Sequence, residues 1–218
     1  MLGSRRGAIG TRLLNLNVAD NDPPEPMVQD IRPGGTRGGL FTTPASSVSI
    51  VCREAGFTSM AAQYWLMKSE PDECSVDDAL AAPRATVPWT GVRNYQARNF
   101  MRDQMKIGDG VLFCHSGVEQ PGIAGLAEVA SAPYPDPTQF DPKSDYYDPG
   151  SRAESPRWVM VDVRALRKTR PLALIDLRAY RELAGMRVLQ KGNRLSITPV
   201  SPGEWRFIQR LLNSNTGR

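Results

Sequence analysis

The stretch YWLMKSEP, residues 64–71, is the point at which regular structure begins in this chain. Its four apolar residues at 64–67 predict a short buried strand, and Pro71 forces the chain out of that strand. Lys68 and Glu70 are predicted to share one face, because side chains alternate along a strand. The pair suits three roles: a salt bridge, a general acid/base pair, or two groups that hydrogen-bond a ligand.

Helix signals follow at four places along the chain. Each combines a start signal or an apolar face with helical spacing. The first predicted helix is short, opens with the capping-box residues Ser75 and Asp78 and runs toward Leu80; the last is C-terminal and opens with Ser201, Pro202 and Glu204. A second helix is predicted over residues 94–105, with Gly108 as the stop and one apolar face made of Ala97, Phe100, Met101 and Met105. A third is predicted over residues 176–184, with Leu177, Tyr180 and Ala184 on one side.

Short apolar runs predict further strands over residues 111–115, 123–129, 158–163 and 195–198. Gly125 within one of them indicates a bulge or a close backbone approach. Five or so short strands separated by small helices predict an α+β domain, in which a twisted, partly closed barrel buries strands that are apolar on both faces.

The first sixty residues differ in composition from the rest. They are rich in Pro and Gly and show no sustained helical or strand period, which predicts disorder. We therefore expect residues 1–60 to be a disordered or mis-called N-terminal extension and residues 61–218 to form the domain. Met60 is a candidate for the true translation start.

Composition excludes several classes of protein. The single histidine rules out a multi-histidine metal site, and three cysteines with no zinc spacing favour reduced thiols over a disulfide framework. No run of about 18 apolar residues is present. We predict no metal, no cofactor and no membrane partner, and expect a cytoplasmic, bacterial protein. The net charge of +4 is compatible with an anionic partner.

The densest polar and aromatic cluster spans residues 89–99, which read WTGVRNYQARN. Its side chains match the groups that nucleic-acid-binding proteins use for phosphates, base stacking and base edges. They are Arg93 and Arg98 for phosphate, Trp89 and Tyr95 for stacking, and Asn94 and Asn99 for a base edge. The alternative is structural: Asn94 caps the helix, Trp89 fills the core and Arg98 pairs with an acid.

Two further features are candidates for ligand contacts. His115-Ser116 ends a strand, but no nucleophile-elbow pattern surrounds it, so His115 is interpreted as a ligand hydrogen-bond donor or a satisfied core histidine. A loop from residue 132 to about 157 is long enough to be functional. Its aromatic residues could close over a ligand or pin the loop to the barrel.

Together these motifs resemble the EVE domain family, a PUA-like group related to YTH domains. The matching elements cover about residues 63–212 in the right order; Cys114 departs from the tyrosine that the family often has before His-Ser. They are the segments 64–71, 89–99 and 114–116, Tyr146-Tyr147-Asp148, Pro156-Arg157-Trp158, and Arg194-Leu195-Ser196-Ile197 with Pro199-Val200.

The resemblance implies a PUA-like pseudo-barrel of about five to six mixed strands with short flanking helices. It implies a pocket for a flipped, modified base, in particular modified cytosine in DNA rather than RNA. Trp89 falls where the first cage tryptophan of YTH domains would sit, and Lys68-Ser69 matches the Lys-Ser that ends their first strand. A further cage wall is predicted in the Tyr146/Tyr147 loop, with Tyr147 as the candidate.

Two functions stay open on the sequence. The first is a non-catalytic module for a nucleic acid that carries a modified base. The second is an amidohydrolase-like enzyme acting on modified nucleosides, as ASCH-type relatives in the PUA-like superfamily do. In that case Lys68 would activate a nucleophile and Glu70 would shuttle protons.

Overall fold

A computed structural model describes residues 62–214. The predictions of a disordered segment 1–60 and of a start at Met60 lie outside these residues. In the described part of the chain, no helix is long and apolar enough to cross a membrane.

Six strands form one mixed sheet, in the order β2-β7-β4-β3-β1-β8, and two short strands form a separate ribbon. β1 and β3 run parallel, and the other pairs in the sheet are antiparallel. The predicted α+β architecture is confirmed. The strands are β1 Tyr64–Ser69, β2 Thr86–Pro88, β3 Gly110–His115, β4 Gly122–Val129, β5 Tyr134–Pro135, β6 Val159–Met160, β7 Asp162–Ala173 and β8 Ile197–Val200.

Short helices connect and flank these strands. Side-chain caps start three of them: Ser75 and Ser201 each form a full capping box, and Asn94 accepts hydrogen bonds from the backbone N–H groups of Gln96 and Ala97. These starts agree with the sequence prediction. The helices are α1 Pro71–Cys74, α2 Val76–Ala81, α3 Tyr95–Asp103, α4 Leu174–Leu177 and α5 Pro202–Asn213, with 3-10 turns at Pro83–Ala85, Pro137–Phe140, Arg181–Leu183 and Arg187–Leu189.

The sheet is buried on both faces. Trp65 and Met67 join a core cluster with the α3 residues Phe100 and Met101, whereas Leu66 between them joins a second cluster with residues of α4 and α5. This division follows from the alternation of side chains along a strand. It explains why β1 is apolar without interruption.

Four sequence predictions were wrong in detail. The strand predicted over 195–198 is β8, which begins at Ile197 and ends at Val200. The helix predicted over 176–184 is a one-turn α4 followed by a 3-10 turn, and Leu183 is buried there in place of Tyr180 and Ala184. α3 ends at Asp103, before Gly108. The strand predicted over 158–163 is two strands, and β7 runs on to Ala173. Pro171 is tolerated in β7 because β2 pairs only with residues 162–164.

The predicted irregularity at Gly125 is present. The pairing of β4 with β7 shifts register between Ile123 and Gly125. A Cβ atom at Gly125 would lie 2.5 Å from Val76 Cγ2 and 3.0 Å from the Arg167 carbonyl oxygen. Only glycine therefore lets α2 pack so closely on this strand.

Candidate functional site

The parallel pairing of β1 with β3 brings two predicted site segments together. Ser69 is opposite His115 in the register, so the residues that follow both strands lie at the same edge of the sheet. There the backbone N–H of Ser116 donates to the Ser69 carbonyl oxygen at 2.9 Å. Lys68, Ser69 and Ser116 are thus neighbours.

A cavity of about 340 Å³ opens at this edge. That volume is within the usual range for a small-molecule site. Its lining residues are Lys68, Ser69, Glu73, Cys74, Val87, Pro88, Trp89, Thr90 and Tyr146. An adjoining cavity, also about 340 Å³, shares six of these and adds Glu70, Gly91, Val92, Ser116, Arg194 and Ser196. We call the two together the base pocket, after the flipped base that the resemblance in the sequence predicts.

Trp89 forms one aromatic wall of the base pocket. Its side chain is 6% exposed and meets the Phe113 ring edge-on, with ring centroids 5.2 Å apart. The Trp89 backbone N–H donates to the Val161 carbonyl oxygen at 2.9 Å. Both contacts hold the indole against the core. Trp89 therefore lines the cavity, as a stacking residue would, and also fills the core, as the structural alternative expected.

Tyr146 forms a second aromatic wall. Its hydroxyl donates to a Glu73 carboxylate oxygen, and its ring packs on the backbone of Gly91, where a Cβ atom would lie 2.7 Å from Tyr146 Cζ. Gly91 has a φ of +78°, a conformation that glycine adopts readily. Burial and the hydrogen bond to Glu73 raise the pKa of Tyr146 to about 12. The ring is therefore neutral at physiological pH.

Arg93 and Asp136 hold the Tyr146 loop in place. Arg93 Nη1 donates to Asp136 Oδ2 at 2.8 Å, and Arg93 Nε donates to the Tyr146 carbonyl oxygen at 2.7 Å. Asp136 is fully buried and also accepts from the Gly91 N–H at 3.0 Å. Burial raises the pKa of Asp136, but hydrogen bonds from Thr138, Arg93 and Gly91 outweigh it and lower the net pKa.

The rest of the loop is fixed by two more polar residues. The buried Gln139 side chain donates to the carbonyl oxygens of Asp136 and Trp158 and accepts from the Trp158 N–H. Asp148 accepts from Trp158 Nε1 at 2.6 Å and from Arg157 Nη1 at 2.9 Å. The loop over residues 132–157 is therefore an arm tied down by these hydrogen bonds, and it carries Tyr146 into the base pocket.

The remaining residues predicted in segment 89–99 face this arm or the helix. Asn94 caps α3, and Arg98 donates to Asn99 Oδ1 at 2.7 Å and to the Arg157 carbonyl oxygen at 3.1 Å. Tyr95 packs against Trp158 with the rings tilted by 31° and their centroids 4.9 Å apart. Neither these four nor Arg93 lines the base pocket. The alternative role of Asn94 as a helix cap is confirmed, whereas Arg98 bonds an amide and a carbonyl oxygen in place of the acid that the alternative expected. Tyr95 is 55% exposed.

His115 does not line the base pocket either. Its Nε2 accepts a hydrogen bond of 3.1 Å from the Val76 backbone N–H, at the start of α2. Accepting there requires the neutral imidazole, and burial lowers the pKa of His115 accordingly. The sequence allowed two roles for His115, a ligand hydrogen-bond donor or a histidine satisfied within the fold. Its bond to Val76 corresponds to the second.

Lys68 and Glu70 both line the base pocket, as their shared face predicted. The five ion pairs between described residues include neither of them. Ser69 is already engaged, since its hydroxyl donates to the Cys74 carbonyl oxygen at 2.8 Å. The pocket thus presents an ammonium group and the carboxylates of Glu70 and Glu73 beside two aromatic rings.

The choice of Tyr147 as a cage wall is not supported by its position. Tyr147 is 42% exposed and lines neither cavity, whereas its neighbour Tyr146 does. Several lining residues were missed from the sequence, among them Glu73, Val87 and Pro88, because no motif marks them. Among residues 62–214, no cluster of three or more His, Cys, Asp or Glu side chains is placed to hold a metal ion.

Comparison with known proteins identifies the family. The family model described as EVE domain matches residues 63–211. The chain belongs to the EVE domain family. Human Thymocyte nuclear protein 1 is 42% identical over 166 residues, which cover 68% of this chain and 73% of that protein.

Solved structures similar to this EVE domain come from bacteria and eukaryotes. A crystal structure of a protein from Pseudomonas putida is 46% identical, with a TM-score of 0.65, and the match covers 68% of this chain and 98% of that one. Human THYN1 protein in complex with 5-methylcytosine containing DNA is 41% identical, with a TM-score of 0.65, over 69% of this chain and 97% of that one. The PUA-like fold prediction is confirmed; the bacterial source and cytoplasmic location stay predictions.

Proposed function

We propose that this EVE domain is a non-catalytic reader that binds DNA carrying a modified cytosine and holds the flipped base between Trp89 and Tyr146. The observation that carries the proposal is the cavity that both rings line together with Lys68 and Glu73. The human relative in complex with 5-methylcytosine containing DNA supports the same class of partner.

The aromatic walls supply the binding energy that flipping requires. Extruding a base from the duplex costs a few kcal/mol of stacking and pairing. Stacking on an aromatic side chain returns roughly 1–3 kcal/mol per base. Because the core holds Trp89 and the loop holds Tyr146, little side-chain entropy is lost when the base enters.

The charged groups of the base pocket suit the edge of cytosine. Carboxylates accept hydrogen bonds from the cytosine N4 amino group, which is the role we assign to Glu70 and Glu73. Lys68 would donate to an acceptor atom on the same base. Thymine presents a carbonyl oxygen where cytosine has the amino group. The carboxylates would repel that oxygen.

The methyl group adds a smaller contribution. Val87 and Pro88 extend the apolar part of the lining, and burying one extra carbon stabilises the complex by about 0.8 kcal/mol. This corresponds to roughly fourfold in affinity. We therefore expect a modest preference for the methylated base, on top of the recognition of cytosine.

The test is binding of matched duplexes at fixed salt, in which one cytosine is unmodified, 5-methylated or 5-hydroxymethylated. One duplex carries methyladenine, and RNA counterparts are included. Wild-type protein should bind one modified-cytosine DNA about fourfold or more tighter than the unmodified duplex. Trp89→Leu should lower that affinity by on the order of tenfold. Equal binding of all duplexes by the wild type contradicts the proposal.

A matched tryptophan variant separates pocket from fold. Trp205 lies on α5, stacks on Tyr64 with ring centroids 4.5 Å apart, and lines neither cavity. Trp205→Leu should lower thermal stability and leave the preference for modified cytosine unchanged. If both tryptophan variants lose the preference equally, the loss reflects general unfolding, and the role given to Trp89 fails.

The hydrolase alternative has its own test, because Lys68 and Glu70 do line one cavity. In that reaction water would cleave the amide bond of an acylated cytidine and release cytidine and the free acid. The nucleoside is incubated with wild-type protein and with Lys68→Met, and products are separated by chromatography. Product formation that requires Lys68 would overturn the non-catalytic assignment.

A further inference from the structure

A third cavity, of about 620 Å³, adjoins the base pocket. It shares Lys68 and Ser116 with the pocket, and so it lies at the same edge of the sheet, beyond the ends of β1 and β3. We call it the basic cleft. Its lining residues are Lys68, Ser116, Pro121, Leu174, Arg178, Val188, Leu189, Gln190, Lys191, Gly192 and Asn193.

The charge of the basic cleft is one-sided. Lys68, Arg178 and Lys191 line it, and the cleft lining includes no carboxylate; the carboxylates of Glu70 and Glu73 line the adjoining base pocket. None of these three cations takes part in an ion pair between described residues. Unneutralised cations that converge on one concave surface attract an anion strongly.

The chemistry of the remaining lining narrows the choice of anion. Leu174, Val188 and Leu189 provide an apolar patch between the cations. An inorganic anion has no apolar surface to bury against such a patch, whereas a nucleotide backbone carries an apolar deoxyribose face between charged phosphates. The direct connection to the base pocket through Lys68 and Ser116 places such a backbone next to a flipped base.

We infer that the basic cleft binds the sugar–phosphate backbone adjoining the flipped nucleotide, with Lys191 and Arg178 on its phosphates. This inference rests on the proposed reader function for the position of the flipped base. It predicts a division between the two sites. The base pocket sets the preference for modified cytosine, and the cleft contributes affinity that is independent of the base.

The first experiment measures salt dependence. Lys191→Ala should weaken binding of methylated and unmethylated duplexes equally, by about five- to tenfold at low salt, and reduce the slope of log Kobs against log salt by about 0.9. Lys191 makes no side-chain hydrogen bond to a described residue, so folding should be intact. Arg178→Gln should add a similar loss, although its Nε donates to the Leu189 carbonyl oxygen.

Lys106→Ala is the matched control. It removes the same charge, but Lys106 precedes β3 and so lies at the opposite end of that strand, roughly 17 Å from the cleft. Its effect on the slope should be close to zero. If Lys191→Ala and Lys106→Ala behave alike, the cleft is not a backbone site and the inference is overturned.

The second experiment uses a duplex with an abasic site in place of the modified cytosine. Lys191→Ala should weaken binding of this duplex as much as it weakens the intact one, whereas Trp89→Leu should have no effect on it. The same Lys191 loss would appear even if the wild type showed no preference for modified cytosine, so the two proposals fail separately. Unchanged abasic binding in Lys191→Ala overturns the cleft assignment.

Discussion

Replacing Gly91 by alanine tests the contact that positions the second aromatic wall. The alanine Cβ atom would lie 2.7 Å from Tyr146 Cζ. Carbon atoms pack at about 3.5–4 Å, so the ring must retreat by roughly 1 Å. The backbone at position 91 also has a φ of +78°, where a non-glycine residue costs about 1–2 kcal/mol. Overpacking adds about 1–3 kcal/mol.

Gly108→Ala is the matched control for this change. Gly108 has a φ of +90°, but a Cβ atom there would meet nothing within 4 Å. It should therefore lose only the backbone contribution of about 1–2 kcal/mol. Urea denaturation of both variants should show a free energy of unfolding about 1–3 kcal/mol lower for Gly91→Ala than for Gly108→Ala. Affinity for the methylated duplex should fall about tenfold in Gly91→Ala alone.

The double variant Gly91→Ala/Tyr146→Ala completes the test. With the ring removed, the alanine at position 91 should again lose only the backbone contribution, so the two changes should be non-additive. Equal losses of stability in Gly91→Ala and Gly108→Ala would refute the reasoning. Additive losses in the double variant would refute it too, since the ring would then not oppose position 91.

Two further predictions concern buried polar groups and pH. Asp136→Asn should lower the free energy of unfolding by about 2–4 kcal/mol at pH 7, because it breaks the buried pair with Arg93. The lowered pKa of Asp136 makes its stabilising effect complete above the unfolded value of about 4 and lost in more acid solution. The difference in free energy of unfolding between wild type and Asp136→Asn should therefore narrow below about pH 4. A difference that does not change with pH contradicts this prediction. His115, the single histidine of the chain, has a lowered pKa in the folded state, so unfolding takes up protons and stability should fall as pH drops below about 6.5. In His115→Gln, which keeps an acceptor for the Val76 N–H, denaturation between pH 5 and 7 should show this dependence flattened.

Local signals in the sequence predicted the elements well. The capping boxes at Ser75 and Ser201 involve residues three positions apart, so their chemistry is complete within one helical turn. The predictions fail where tertiary contacts, and not local sequence, determine the secondary structure. Segment 176–184 has helical spacing, yet burial of Leu183 and Met186 beneath the sheet breaks it into short turns.

The walls of the base pocket could be predicted only in part. Trp89 and Lys68 lie in motifs that resemble the family, and both line the cavity. The sequence does not predict that Glu73 and Tyr146 meet in the pocket, because their hydrogen bond joins residues 73 positions apart. No local pattern could distinguish Tyr146 from Tyr147 as the ring that faces inward.

The segment 89–99 shows why a polar cluster in a sequence is an ambiguous signal. Arg93 has the chemistry of a phosphate contact, but its donors reach Asp136 and the Tyr146 carbonyl oxygen. A guanidinium pairs equally well with a carboxylate of its own chain, and the sequence cannot tell which anion is nearer. In this fold the Arg93 guanidinium holds the loop that carries Tyr146. Lys191, which has no ion-pair partner among the described residues, lies in a turn that no motif marks. Charge therefore predicts a nucleic-acid contact only where the folded chain leaves it unpaired.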